Sequence, residues 1–376
     1  MVPMGCSMAD AANETRQPRA VVLVDGVRVD GWIDWAVENN AFFTADVFRV
    51  SFARSNLPAG RDAAWWSAQA RIEIEIRVGF PGDPERFDVG GLASLIIGRV
   101  DDVTDNPVTG VLDVTGRDLS ADLMDAKTTE KWPNRTASQI AEDLAARHGL
   151  QALAKPSTTP AGRYYQIDNV QLTDEATEWD LLTYLARQER AMVFLRGRTL
   201  VFGPRDTGAV WPLHWTAPDD DRPYAQSGAL ALNCARNLTL ARDIIVKVRS
   251  WNAKQKTAFE VEARATRSKN KIAARGAAYY APQIHTITVP GLTREQALQR
   301  AQAELAALTQ HEMRIGATLP GDVALTTAST VRVSGLGTAF DQDYFPDRIL
   351  RRMSIDEGFQ MELNAKNHSP ESVAVA

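Results

Sequence analysis

Two carboxylates on one face of a predicted strand are the residues of this chain best placed to do chemistry. Apolar and charged residues alternate over residues 71–78, so Glu73 and Glu75 project to the same side. Two neighbouring carboxylates are what a glycoside hydrolase uses as acid and base. Arg71 and Arg77 flank the pair, however, and this charge pattern favours ion pairs across strands or between subunits. We therefore predict that these four residues lie at a subunit interface or line a channel.

Other catalytic or metal-binding patterns are missing from the sequence. It contains no nucleophile elbow, HExxH motif, phosphate-binding loop or dinucleotide fingerprint. The five histidines are scattered, and the run Asp219 to Asp221 lacks the spacing of a calcium loop. Cys6 and Cys234 are far apart and not near a histidine at metal-ligand spacing. These observations predict a protein that is not an enzyme and that uses no cofactor or metal.

Two further features have both a binding and a structural interpretation. The adjacent Trp65 and Trp66 have the chemistry to stack on a sugar or a base, although adjacent tryptophans beside a strand more often pack a core or a subunit contact. A basic stretch around Arg267, Lys269 and Lys271 predicts either a surface for an anionic partner or, in the interpretation that we favour, a mobile loop.

Composition limits the class of protein. The chain has 376 residues, 42 Lys plus Arg and 47 Asp plus Glu, and its net charge of −5 argues against a protein that wraps nucleic acid. Its apolar residues make up 44%, enough for folded cores, and no apolar run approaches the ~18 residues of a membrane span. We expect several domains and no membrane anchor.

The first part of the chain has the period of β structure. A flexible leader is expected over 1–18, followed by a first β-barrel-like domain over 19–125 that opens with a hairpin at Asp25-Gly26. Capped helices beginning at Thr136 and Thr177 then predict a small α+β domain, which with a connector covers 126–225.

Strand signals return in the last third. Lys247 and Arg249 alternate with valines, and we predict that they lie at an interface or line a channel, as residues 71–77 do. We expect a second β-barrel-like domain from 226–265 with 320–368, an inserted loop and helix over 266–319, and a polar tail over 369–376. The fold class is thus α+β and mostly β, with two related antiparallel β-barrel-like domains and inserted small α/β and helical segments.

The order of these segments resembles that of phage tail baseplate hub proteins, the late control protein D family, which is related to the N-terminal part of type VI secretion spike proteins. The matching stretches are Gly98 to Leu123, Asn134 to Leu150, Thr177 to Phe202 and Leu292 to Lys366. The order of the four stretches along the chain gives the resemblance its specificity. There is no lysozyme-like segment and no C-terminal β-helix, so a separate chain is expected to form the spike.

The resemblance implies a homotrimer whose two β domains per chain make a ring of six similar units. Such a ring would join the sixfold tail tube protein to the threefold central spike protein. The tape measure protein and then the DNA would pass through it, the DNA only in transit. The implied location is the virion, with assembly in the host bacterial cytoplasm. The alternatives are a tail-associated cell-wall hydrolase and a carbohydrate-binding tail protein.

Overall fold

The structure is a computed structural model of the chain. It describes residues 17–41, 43–132, 134–157, 161, 176–189, 191–204, 209–237, 244–252, 257–265, 283–309, 313–367 and 374–375. The fold is α+β and mostly β, as predicted from the sequence.

Seven strands form a first β unit around one core. In chain order these elements are β1 (Arg19–Val24), β2 (Val27–Val29), β3 (Trp32–Asn40), β4 (Val47–Ala53), α1 (Ala63–Ala68), β5 (Glu73–Gly79), β6 (Ala93–Asn106) and β7 (Val111–Asp118). The strands are hydrogen-bonded in the order β2-β1-β5-β6-β7-β4-β3, and every pair is antiparallel. Asp25 and Gly26 both have positive φ, which confirms the hairpin turn between β1 and β2.

A small α/β domain follows the first unit. Its elements are α2 (Ser120–Asp125), α3 (Ala137–Arg147), β8 (Gln151–Ala154), α4 (Glu178–Glu189), β9 (Met192–Arg196) and β10 (Thr199–Gly203). Its three strands pair in the order β8-β10-β9, and the helices bury Ile140, Leu144 and Leu182 against them. Thr136 and Gln139 exchange the hydrogen bonds of a capping box at the start of α3, as the sequence predicts.

The remaining strands divide between two separate sheets. In chain order, with the helix α5 among the strands, these elements are β11 (Val210–Thr216), β12 (Gln226–Ser227), β13 (Ala231–Arg236), β14 (Ile244–Asn252), β15 (Thr257–Ala265), β16 (Gln283–Thr288), α5 (Arg294–Thr309), β17 (Met313–Pro320), β18 (Thr330–Ser334), β19 (Asp343–Ser354), β20 (Gly358–Lys366) and β21 (Ala374–Val375). A second β unit has the order β12-β11-β18-β19-β20-β17-β13.

The strands at 244–265 do not pair with this second unit. They form a four-stranded sheet, β16-β14-β15-β21, whose apolar face packs Val246 and Val248 against Ala297 and Ala301 of α5. The prediction that 226–265 and 320–368 make one β domain is therefore wrong for 244–265. Residues 210–216, predicted to belong to the small domain and connector, and residues 313–319, predicted to belong to the insertion, supply strands of the second unit. Alternation identifies a strand but not its partner, which is why the boundaries differ.

The two β units share one topology. If each unit's seven strands are numbered in chain order, both have the spatial order 2-1-5-6-7-4-3. The insertion with α5 lies between the third and fourth strands of the second unit. The units differ in one pairing, since β1 and β5 are antiparallel whereas β11 and β18 are parallel.

A matching β-bulge places the two units in register residue by residue. The ladder shifts at Asp101 in β6 and at Asp347 in β19, the sixth strand of each unit. Each bulged aspartate forms an ion pair with a cation on the seventh strand: Arg117 at 2.7 Å in the first unit and Lys366 at 2.9 Å in the second. Because bulges are specific local features, their agreement supports an internal duplication.

The hydrogen bonds around the fourth and seventh strands also agree. The Asp118 N–H donates to the Asp46 carbonyl oxygen, and the Asn367 N–H donates to the Met313 carbonyl oxygen, both at 2.9 Å. In the register set by the bulges, Asp118 corresponds to Asn367 and Asp46 to Met313.

One strand pair joins the two units into a 14-stranded sheet. The last part of β19 pairs antiparallel with β3, from Arg348 opposite Asn40 to Ser354 opposite Asp34. We call this pairing the intrachain joint. The Arg348 guanidinium also forms an ion pair with Glu38 across it.

Candidate functional site

The carboxylates predicted from the sequence have arginine partners in the structure. Glu75 accepts a hydrogen bond of 2.8 Å from Arg77 on the same strand. Glu73 forms an ion pair with Arg198, which lies in the turn between β9 and β10. The charged face of β5 thus connects the first β unit to the small domain. With both glutamates engaged by guanidinium groups, this geometry favours an ion-pair role over an acid and base pair.

Arg71 belongs to a network of ion pairs that was not predicted from the sequence. Its guanidinium is 2.9 Å from Asp122 of α2, and the same carboxylate is 2.6 Å from Arg99 on β6. Arg99 and Arg117 both reach Asp125 at the end of α2. These residues are separated by up to 54 positions in the chain, so no local motif could identify the network. It anchors the first helix of the small domain on the β6–β7 hairpin.

Lys247 and Arg249 belong to the four-stranded sheet. Lys247 is 3.0 Å from Glu260 and 2.7 Å from Glu262, and Arg249 is 2.6 Å from Glu260. All four side chains lie on the face opposite α5, since Val246 and Val248 point into the core with that helix. Their place at an interface or in a channel stays a prediction, as it does for residues 71–77.

The predicted mobile basic loop lies outside the described residues. That applies to Arg267, Lys269 and Lys271 alike. The nearest described cation is Arg264, which forms an ion pair of 3.0 Å with Glu262.

The tryptophan pair packs into the first β unit. Trp66 is 1% exposed and its ring contacts Phe52, with the centroids 5.6 Å apart. The Arg61 guanidinium lies 3.9 Å from the ring centroid of Trp65, over one face of that ring. This arrangement leaves no pair of open ring faces for a sugar, and it agrees with the structural interpretation of the two residues.

A buried polar cluster lies at the intrachain joint. Asn39 donates a hydrogen bond of 2.7 Å to the Asp46 carboxylate, and its own side-chain oxygen accepts one of 2.8 Å from Arg351. Arg351 is 2% exposed and also donates to the carbonyl oxygens of Asp322 and Leu325. This single side chain therefore ties β19 to β3 and to the loop after β17.

Burial changes the charge states in this cluster. Desolvation, with the negative charge of Asp118 added, raises the pKa of Asp46 to about 7. Desolvation likewise raises the pKa of Asp118 to about 6, against the hydrogen bonds that it accepts from Ser120. Burial lowers the pKa of Arg351 to about 10, so this residue stays charged at neutral pH.

We expect the stability of the chain to fall as the pH rises from about 4 to 7. Over this range the folded chain holds a proton on Asp46 that the unfolded chain, with an ordinary carboxyl pKa, has released. Asp118→Asn, which gives the first unit the residue of the second, should raise the free energy of unfolding at pH 8 by about 1 kcal/mol because it removes a buried like charge. Urea titrations at pH 5 and pH 8 would measure the difference.

A matched control for this prediction is Asp220→Asn, which removes an exposed carboxylate. It should leave both titrations unchanged. An equal gain for Asp118→Asn at pH 5 and pH 8 would contradict the role of the buried charge.

Within the described ranges, no three side chains of His, Cys, Asp or Glu lie where they could hold a metal ion together. In the same ranges, no helix has the length and apolar character needed to cross a bilayer.

Comparison with solved structures shows what the chain is similar to. A tail protein from Neisseria meningitidis MC58 matches with a TM-score of 0.67 and 17% identity, over 94% of this chain and 99% of that one. The 43 kDa tail protein of prophage MuSo2 from Shewanella oneidensis matches with a TM-score of 0.66 and 16% identity, over 93% and 98%. The chain has the fold of phage tail proteins.

A component of the Escherichia coli type VI secretion system, described as structurally similar to the bacteriophage T4 tail proteins gp27 and gp5, has the same fold. It matches with a TM-score of 0.51 and 9% identity, over 94% of this chain and 79% of that one. No protein-family model and no curated protein matches the sequence. The resemblance found in the sequence is thus confirmed at the level of the fold.

Proposed function

We propose that the chain is a non-enzymatic structural protein of a phage tail, the baseplate hub, and that it acts as a homotrimer. The observation that carries the proposal is the shared strand order of the two β units, down to the matching bulges at Asp101 and Asp347. The similarity in fold to phage tail and type VI secretion proteins supports it.

The duplication explains how one chain would meet two symmetries. Three chains with two related units each give six units, which present a nearly sixfold face to the tail tube protein. Among the described residues, the small domain and the four-stranded sheet that packs on α5 each occur once per chain, so they would keep the assembly threefold where it meets the central spike protein.

The same ring would serve as a conduit. The tape measure protein and then DNA would pass through its centre during delivery. The net charge of −5 fits this role because a strongly basic wall would retain the phosphates of DNA in transit. We place the protein in the virion, after assembly in the host bacterial cytoplasm.

Light scattering combined with negative-stain class averages tests the proposal. We expect a mass of three times 41.3 kDa and threefold rings with an open centre, alone or after co-expression with the tube or spike protein. A chain that stays monomeric at micromolar concentration, with its fold intact and with both partners present, would contradict the hub proposal.

A further inference from the structure

The short strands β2 and β12 end the path of the 14-stranded sheet, and two further strand edges in it also have an open side. Among the described residues, β13 pairs only with β17, and residues 101–106 of β6 pair only with β7. Open edges are sites at which another strand can add to a sheet.

The intrachain joint shows what occupies such an edge in the other half of the molecule. There, the third strand of the first unit (β3) pairs with the sixth strand of the second unit (β19). The two open edges are also a third strand and a sixth strand, but each comes from the other unit. They are the third strand of the second unit (β13) and the sixth strand of the first unit (β6).

We propose that β13 of one protomer pairs antiparallel with residues 102–106 of β6 in the next protomer, and so repeats the intrachain joint between subunits. This inference rests on the proposed trimer and identifies the strands that close it. Each chain offers one edge of each kind, so the contact runs head to tail and closes into a ring after three copies.

The register of this intersubunit joint follows from the two units. Val37 lies opposite Arg351 in the intrachain joint. The pairing of β13 with β17 matches that of β3 with β4, and this match makes Cys234 equivalent to Val37. The pairing of β6 with β7 matches that of β19 with β20, and this match makes Asp105 equivalent to Arg351. Cys234 of one protomer is therefore expected directly opposite Asp105 of the next.

Apolar side chains are more deeply buried at the intrachain joint than at the two open edges, as this proposal requires. Trp35, Val37 and Ile349 are at most 1% exposed in the intrachain joint. Their counterparts Leu232, Cys234 and Val103 are only partly buried. Strand pairing between protomers would cover these three apolar side chains and add to the free energy of association.

Charge also fits the pairing. In the intrachain joint, Arg351 reaches diagonally to Asn39, with the nitrogen and oxygen 2.8 Å apart. The corresponding residues between protomers are Asp105 and Arg236, an acid and a base; Asp105 also lies 3.2 Å from Arg54 of its own chain, so Arg236 would join an existing ion pair. Opposite charges at such diagonal positions favour one partner and one register.

A disulfide formed in the full-length chain tests the proposal. In a Cys6→Ser background, Asp105→Cys places a thiol opposite the native Cys234 of the neighbouring protomer, at a Cα separation that a disulfide tolerates. Oxidised glutathione would take up the two electrons and two protons of the paired thiols. On a non-reducing gel, we expect most of the chain at three times the monomer mass, and the monomer again after reduction.

Two matched variants control for chance contact. Thr104→Cys moves the thiol to the opposite face of the same strand and should give little cross-linking. Adding Cys234→Ser to Asp105→Cys should abolish the trimeric band. Circular dichroism would confirm that each variant is folded.

The outcomes separate this inference from the hub proposal. A trimer by light scattering in which Asp105→Cys cross-links no better than Thr104→Cys overturns the intersubunit joint but leaves the trimer. A protein that is monomeric under all of these conditions contradicts both. A trimeric band specific to Asp105→Cys supports both.

Discussion

Replacing Arg351 with methionine is expected to lower the free energy of unfolding by about 3–5 kcal/mol. The guanidinium is 2% exposed and donates to the Asn39 side chain and to the carbonyl oxygens of Asp322 and Leu325. Methionine fills much of the volume but donates no hydrogen bond, so these buried acceptors lose a donor. Because the pKa of Asp46 is about 7, its carboxyl group is partly ionised at neutral pH, and that ionised fraction also loses a nearby cation.

Urea unfolding at pH 7 would measure this loss, with Arg352→Met as the matched control. Arg352 is the next residue on β19, and its ion pairs with Glu357 and Glu362 are partly exposed, so the control should cost about 1 kcal/mol or less. Equal losses for the two variants would show that the cluster at the intrachain joint does not hold the units together.

The sequence was sufficient to predict those elements whose structure depends on residues that are close together in the chain. The alternation over residues 71–78 predicted a strand with one buried face, and Ile74, Ile76 and Val78 are all fully buried. The capping residue Thr136 located the start of a helix because its side chain bonds to the third residue that follows. The Asp25-Gly26 turn was predictable for the same reason.

Partners that are distant in the chain were not predictable. Val246 and Val248 alternate as a strand should, yet nothing in that pattern says that α5 and β16 will cover them rather than β17 or β20. Asp46 and Asp118 are 72 positions apart, and each looks like an exposed carboxylate until the fold buries Asp118 and places the half-buried Asp46 beside it. The bulged aspartates, Asp101 and Asp347, are identical in the two units. One identical residue per strand is, however, too little to align the sequences of the two units.

Gly116→Ala is expected to lower the free energy of unfolding by about 3 kcal/mol. A Cβ added at this position would lie 2.1 Å from the Arg99 carbonyl oxygen and 2.6 Å from the ring of Phe48, both far inside contact distance. Gly98 has the same constraint, since its Cβ would lie 2.8 Å from that ring. The ring of Phe48, which is 3% exposed, thus rests on a pair of glycines in neighbouring strands.

The matched control is Gly82→Ala, because a Cβ at Gly82 meets no atom within 4 Å and its φ is not positive. This variant should keep or slightly raise stability by restricting the unfolded chain. Thermal unfolding monitored by circular dichroism would compare the two variants. A Gly116→Ala chain as stable as Gly82→Ala would mean that the β6–β7 ladder moves away from Phe48 at no cost. In that case, the bulge that sets the register of the two units could not be a rigid feature.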